Sequence, residues 1–187
     1  MSISDREFWT LVHGMGFGAL YLLAFAGGVA GLYSLSAKLI TPEGVRERVA
    51  RLRWGAVIMA VLVWMTVIVG TYVVYPWYRH DPTKDAGNAV DVKMQTDALR
   101  EFPKFWLLAS EQTAEWHNFG MEFKEHVAWL APLLATVVAF GIFRYNGELA
   151  NYPSARRMLL ILFIISFVLA GIAGLLGALI TKAAPVL

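Results

Sequence analysis

The chain has 187 residues, of which 58% are hydrophobic and 16% are charged, and its formal net charge is +2. A soluble domain usually carries about 25% charged residues, so this composition favours a membrane protein, and the length suits one domain. Cysteine is absent. That absence excludes disulfides, thiolate metal sites and iron–sulfur clusters on this chain, as well as a haem attached covalently through a C-x-x-C-H motif. Nothing in the sequence indicates nucleic-acid binding.

Four stretches without aspartate, glutamate, lysine or arginine follow one another along the chain, at residues 8–37, 54–78, 126–143 and 158–181. A helix needs about 20 apolar residues to cross a hydrocarbon layer about 30 Å thick. The sequence therefore predicts an all-α integral membrane protein, a four-helix bundle that forms a single domain over residues 1–187. The predicted spans are residues 8–36, 53–75, 123–143 and 155–181. A long outer connection, residues 77–122, is expected between the second and third spans, and the third helix could begin as early as Thr113.

The charges flanking these spans predict an orientation. Both short loops, after the first and third spans, are basic. Their cationic residues are Lys38, Arg46, Arg48, Arg51 and Arg53 in the first loop and Arg144, Arg156 and Arg157 in the second. The positive-inside rule places both loops in the cytoplasm, so we expect a bacterial inner-membrane protein with both termini in the periplasm. The first segment is interpreted as a retained span, because Asp5-Arg6-Glu7 is not the positive leader of a signal peptide.

All four histidines, His13, His80, His117 and His126, fall on the outer side of this topology. At about 1.5 Å per residue, His13 lies about 37 Å above Lys38 and His126 about 27 Å above Arg144. These two residues can therefore approach one level near the outer interface. An imidazole at a membrane boundary needs a partner or a ligand. Two histidines from separate helices can supply both axial ligands of one haem b.

Glycines surround the first of these histidines, in the run His13-Gly14-Met15-Gly16-Phe17-Gly18. They permit the close approach of a flat macrocycle or of another helix. Gly14/Gly18 and Gly27/Gly31 are both G-x-x-x-G pairs, which pack helices in membranes. The first pair leaves both interpretations open, whereas the second favours packing. The aromatic side chains expected to line a haem are Trp9, Phe17 and Trp129.

The third span brings two histidines and several acids close together in sequence. His117 and His126 are nine residues apart, which on a regular helix places them on opposite faces. His126 is the preferred ligand and His117 its substitute; His117 could also pair with His80 in a second site, or be an ordinary loop histidine. Glu122 and His126 could hold a metal ion together with Glu115 and His117. Alternatively, Glu122 or Glu125 could orient a histidine by a hydrogen bond or accept protons from a quinol.

With these residues placed, the chain resembles the small four-helix membrane-bound b-type cytochromes that exchange electrons with quinones or periplasmic partners. The resemblance rests on His13 and His126 near the outer ends of the first and third spans, and on the glycines after His13. It implies one or two haem b groups, a quinone as a further ligand, and a larger respiratory or photosynthetic complex. The partners would be other membrane redox subunits or a periplasmic cytochrome. Such families often hold a second haem near the cytoplasmic face, where this chain has no histidine.

The expected function is therefore a haem b electron-transfer subunit rather than a stand-alone enzyme. The alternative is a cofactor-free structural or assembly subunit that docks a membrane complex through its first and fourth spans. A small transporter or channel is disfavoured, because no charged residue falls in the middle of a predicted span.

Overall fold

A computed structural model describes residues 3–35, 41–81 and 99–185 of the chain, and within these ranges it contains helices and no strands. Four helices are long and apolar enough to cross a membrane: α1 (Asp5–Ser34), α2 (Pro42–Tyr78), α4 (Glu111–Ala150) and α5 (Pro153–Ala183). A short helix, α3 (Pro103–Leu108), precedes α4. The prediction of an all-α, multi-pass membrane protein with four spanning helices is confirmed at this level.

Local chemistry sets where the long helices begin. At α1, the Ser4 hydroxyl accepts the Glu7 backbone N–H at 3.2 Å, and the Glu7 carboxylate accepts the Ser4 backbone N–H at 2.8 Å, which is a capping box. At α2, the Thr41 hydroxyl accepts the Gly44 N–H at 3.2 Å, and Pro42 occupies the first turn, where its missing N–H costs nothing. Both capping motifs can be read in the sequence, but they lie outside the charge-free stretches from which the spans are predicted.

The long outer connection predicted for residues 77–122 is not confirmed. The third long helix begins at Glu111, close to the alternative start at Thr113 and not near residue 123, and the Ser110 hydroxyl caps it by accepting the Gln112 N–H at 3.3 Å. With 40 residues, α4 is about 60 Å long, twice the thickness of a hydrocarbon layer. Its first turns therefore extend beyond the apolar zone, and their charged residues hid them from a search for charge-free spans. Residues 82–98 of the connection lie outside the described part of the chain.

The four long helices form a ring in which α1 packs against α2 and α5, and α4 packs against the same two neighbours. The connections from α1 to α2 and from α4 to α5 are short, so the helices of each pair run antiparallel. The end of α2 meets the start of α4, where the Tyr78 hydroxyl contacts His117, so these two helices are antiparallel as well, and α1 and α4 lie diagonally across the bundle. The shared core is aliphatic and aromatic. Its most buried side chains include Tyr21, Leu32, Val63, Val138, Ile142, Leu159 and Phe163.

A chain of hydroxyl groups crosses the middle of this core. The Ser166 hydroxyl lies 2.8 Å from the Ala131 carbonyl oxygen, which can only accept, so Ser166 donates that bond. The Tyr21 hydroxyl, 2.6 Å from Ser166 Oγ, must then donate to it. Both side chains are almost completely buried. This relay joins α1, α5 and α4, and interhelical hydrogen bonds of this kind hold helices together where the surrounding lipid is as apolar as the core.

We expect Ser166→Ala to cost more stability than Tyr21→Phe. Removing the serine leaves the buried Tyr21 hydroxyl without an acceptor, a cost of about 1–3 kcal/mol, whereas Tyr21→Phe leaves Ser166 bonded to Ala131 and costs about 0.5–1.5 kcal/mol. Thermal unfolding in mild detergent measures the difference. Tyr33→Phe, at a tyrosine that is 78% exposed, is the matched control and should change nothing. Equal losses in the two core variants would contradict the assigned direction of the relay.

Candidate functional site

The four histidines lie at one end of the bundle, which we call the histidine end: α1 and α4 begin there, and α2 and α5 finish there. The opposite end, where α2 and α5 begin, carries Arg46, Arg48, Arg51, Arg156 and Arg157 and is called the arginine end. The histidines and the arginine cluster are thus at opposite ends of the bundle axis.

Three of the long helices change to π-helical geometry near the histidine end: Val12–Gly18 in α1, Gly70–Val74 in α2 and Trp116–Met121 in α4. A π-helical turn widens the helix and shifts its hydrogen bonds, and such turns are frequent at functional sites. The first contains His13 and the third contains His117. Hydropathy does not indicate these π-helical turns, and the only sign of them in the sequence is that each contains at least one glycine.

His13 is half-buried between α1 and α2. Its Nδ1 lies 2.7 Å from the carbonyl oxygen of Thr66. A carbonyl oxygen only accepts hydrogen bonds, so Nδ1 carries the proton and, in the neutral ring, Nε2 keeps a free lone pair. The ring lies directly over Gly70, where a Cβ atom would be 2.5 Å from His13 Cε1. Only glycine at position 70 therefore leaves room for the imidazole.

His126 has the same tautomer in a different setting. Its Nδ1 lies 2.7 Å from the carbonyl oxygen of Glu122, one turn earlier on its own helix, and its side chain is exposed. The backbone of Glu122, and not its carboxylate, therefore orients this ring. Lys124, about 200° away around the helix, places its ammonium against Gly177 of α5, so His126 points away from α5. Within the described ranges His13 and His126 share no hydrogen bond or ring contact, and they stay a predicted ligand pair.

His117 and His80 occupy separate environments. His117 is 7% exposed and lies in a helix, so it is not a loop histidine, and its Nδ1 is 2.9 Å from the Tyr78 hydroxyl. His80 stacks on Phe102, with ring centroids 5.7 Å apart. Of the two histidines predicted to form a second site, His117 is therefore hydrogen-bonded to a tyrosine of α2, and His80 is stacked on an aromatic ring next to α3.

Tyr75 and Glu125 bring two polar atoms into the same region without a hydrogen bond of ordinary geometry. The tyrosine hydroxyl lies close to the carboxylate, yet among the described residues neither Tyr75 Oη nor Glu125 Oε1 has a hydrogen-bond partner, and both atoms are buried. Buried polar atoms without partners are rare in proteins. The histidine end therefore places a buried hydroxyl and a buried carboxylate oxygen close to each other.

The remaining predicted haem-lining residues are dispersed. Trp129 contacts Trp64 of α2 edge-on, with ring centroids 6.2 Å apart. Gly14 is exposed, and a Cβ there would meet no atom within 4 Å, whereas one at Gly16 would meet only Val12 of its own helix. Phe17 is half-buried. Open space therefore lies beside Gly14, while Trp129 is already engaged with a neighbouring helix.

In the part of the chain that the structure describes, no three histidine, aspartate or glutamate side chains are grouped so as to hold a metal ion. The ion site considered for Glu115, His117, Glu122 and His126 is therefore not formed. This finding does not test a haem site, because a haem needs only two axial ligands.

No protein-family model, curated protein or solved structure matches this chain. A functional proposal therefore rests on the residues and geometry described above.

We expect Gly70→Ala to destabilise the protein by about 1–3 kcal/mol, as overpacking of a filled core does. The new methyl group would overlap the His13 ring and force it away from the Thr66 carbonyl. Gly55→Ala, on the same helix but with no atom within 4 Å of its Cβ position, should leave stability unchanged or raise it by up to about 1 kcal/mol. Thermal unfolding of both variants in detergent checks this, and equal stability would contradict the close contact at Gly70.

Proposed function

We propose that this chain is a haem b-binding electron-transfer subunit of a larger respiratory or photosynthetic membrane complex, with the haem at the histidine end. The observation that supports this proposal is the shared tautomer of His13 and His126. Each donates its Nδ1–H to a backbone carbonyl, which leaves Nε2 free for iron. Histidines that bind metals usually have this arrangement, because the Nδ1 bond fixes both the tautomer and the ring orientation.

His13 is the first proposed ligand, and α4 would supply the second. The tautomer favours His126, whereas burial favours His117, which is enclosed near Tyr78 while His126 is exposed. A ligand from α4 would face one from α1 diagonally, and cofactor sites in helix bundles are built from side chains on facing helices. A bound haem would supply one-electron chemistry, and the chain would hold it and set the polarity around it.

A quinol is the electron donor that this end of the bundle suits, with a periplasmic cytochrome as the other candidate partner. Oxidation of a quinol releases protons as well as electrons, so the donor site needs groups that accept them. Glu125 is half-buried, and its Oε1 atom, which is buried and has no hydrogen-bond partner among the described residues, is the group proposed for that role. Glu125 lies on α4, which carries the proposed second ligand.

The proposed orientation puts the arginine end in the bacterial cytoplasm, and the histidine end with both termini in the periplasm. The distribution of basic residues supports it, because five arginines of α2 and α5 cluster where those helices begin. Loops that stay in the cytoplasm carry an excess of lysine and arginine.

Cysteine labelling tests this orientation cleanly, because the natural chain has no cysteine. In intact spheroplasts a membrane-impermeant maleimide should label Gln112→Cys, at an exposed position of the histidine end, and should not label Ser154→Cys, at an exposed position of the arginine end. Permeabilised cells should give equal labelling of both. The reverse pattern in intact cells would contradict the orientation.

We expect the purified protein to show a reduced-minus-oxidised haem b spectrum. His13→Ala should remove the haem bands almost completely, because the first ligand would be lost. Comparison of His126→Ala with His117→Ala identifies the second ligand, and His80→Ala serves as the control at a histidine not proposed for this haem. Circular dichroism verifies that each variant keeps its helices. A folded, colourless wild-type protein prepared from haem-replete cells would reject the proposal.

A cofactor-free structural subunit is the second candidate, and tight packing at the histidine end favours it. The His13 ring fills the space over Gly70, and the Lys124 ammonium lies 3.0 Å from where a Cβ of Gly177 would be. In this case the histidines are interfacial polar groups that hold helices together. Co-purification with large membrane partners and the absence of any chromophore would distinguish it from the cytochrome.

A further inference from the structure

An apolar groove opens between α1 and α2 at the arginine end, away from the histidine end. Its volume is about 330 Å³, which falls within the usual range for ligand sites. Ala24, Gly27 and Gly31 form the α1 wall, Gly55 and Ile58 belong to the α2 wall, and Phe163 of α5 contributes to the floor. The groove is therefore an apolar slot on the bundle surface, with a floor supplied by a third helix.

Glycines of two kinds shape this slot. A Cβ at Gly28 would meet the Phe163 ring at 2.5 Å and one at Gly31 would meet Leu52 at 3.0 Å, so these two glycines allow the helices to pack closely. Gly27 and Gly55 are exposed, and a Cβ at either would meet nothing within 4 Å. Close packing between helices of this chain, predicted for Gly27 and Gly31 together, therefore holds for Gly31 and does not account for Gly27 or Gly55. Their missing side chains instead leave the space that forms the slot.

Two arginines line the mouth of the groove. Arg48 and Arg51 are one turn apart on the face of α2 that continues into Gly55 and Ile58. Arg48 donates to the Ser34 carbonyl at 3.3 Å, and Arg51 donates to the Glu47 carboxylate at 3.2 Å. A guanidinium has five N–H donors, so each arginine retains donors for a further acceptor. A negatively charged group with an apolar tail would match this arrangement.

We propose that this groove binds one anionic phospholipid, with an acyl chain in the slot and the phosphate at Arg48 and Arg51. The lining residues of α2 run from Arg48 to Met59, about 16 Å along the helix, which is half the thickness of a hydrocarbon layer and thus the depth of one leaflet. Basic pockets between membrane helices bind anionic head groups in this way. The site is independent of any haem at the other end of the bundle.

The binding test uses the full-length protein, delipidated in mild detergent. It is then exposed to mixed micelles that contain equal amounts of phosphatidylglycerol and phosphatidylcholine with identical acyl chains. Native mass spectrometry counts the lipids retained. The wild type should retain one phosphatidylglycerol in preference to phosphatidylcholine by roughly five- to 25-fold, since each arginine near a membrane surface favours an anionic lipid by roughly fivefold. Equal retention of the two lipids would overturn the proposal.

Two sets of variants test the apolar slot and the arginines at its mouth separately. Gly27→Leu/Gly55→Leu fills the slot and should abolish retention of both lipids, whereas Gly174→Leu, at an exposed glycine of α5 with equally open space, should not. Arg48→Gln/Arg51→Gln should remove the preference for phosphatidylglycerol, whereas Arg46→Gln, on the same helix but outside the groove, should keep it. Undiminished phosphatidylglycerol binding in the filled-slot variant would place the lipid elsewhere. If the glycine variant fails to fold, the arginine pair alone decides.

Other occupants would give distinct results. An isoprenoid quinone that co-purifies with the wild type and is lost in Gly27→Leu/Gly55→Leu would overturn the phospholipid assignment. A second copy of the chain in the groove would appear as a dimer that dissociates in the same variant, and this outcome would overturn it as well.

Discussion

The packing of α1 against α2 at the histidine end depends on one polar contact, the hydrogen bond from His13 Nδ1 to the Thr66 carbonyl. Hydrocarbon supplies no water, so an imidazole at this level must find its partner inside the protein. The contact can form because Gly70 has no side chain, and a Cβ there would lie 2.5 Å from His13 Cε1. The position of the His13 ring on α1 therefore requires a glycine on α2.

Elsewhere in the bundle, other side chains that form hydrogen bonds between helices also connect, directly or through a hydroxyl, to a backbone carbonyl. Tyr21 reaches the Ala131 carbonyl of α4 through Ser166. The Trp64 indole donates to the Thr136 hydroxyl at 2.9 Å, and that hydroxyl donates to the carbonyl of Pro132 at 2.7 Å. Because lipid gives helices little hydrophobic reason to associate, such directional contacts fix which faces meet and at what height.

The sequence could predict the number of spanning helices and the end of the bundle at which the histidines lie, because charge-free length and order along the chain carry that information. Charge-free length could not predict the start of α4, although the earlier start considered at Thr113 lies close to Glu111. Charged residues between Glu111 and Glu125 remove the apolar signature, although Ser110 offers a cap. Nor could it predict the π-helical turns, since they depend on contacts such as His13 with Gly70 that arise between helices. The nine-residue spacing predicted that His117 and His126 lie on opposite faces, and one of them is buried while the other is exposed. The spacing could not predict that His117, and not the preferred His126, is the buried one.

Glycine content alone does not reveal what a membrane helix does, because the same residue serves opposite purposes in this chain. At Gly28 and Gly70 a methyl group would collide with an aromatic ring of another helix, so glycine is required by packing. At Gly27 and Gly55 a methyl group would meet nothing, although glycine within a helix costs about 1 kcal/mol relative to alanine. Packing within this chain gives no compensation for that cost. The two open glycines face one slot from opposite walls, below a pair of arginines, so occupation of the slot is the compensation that the geometry offers.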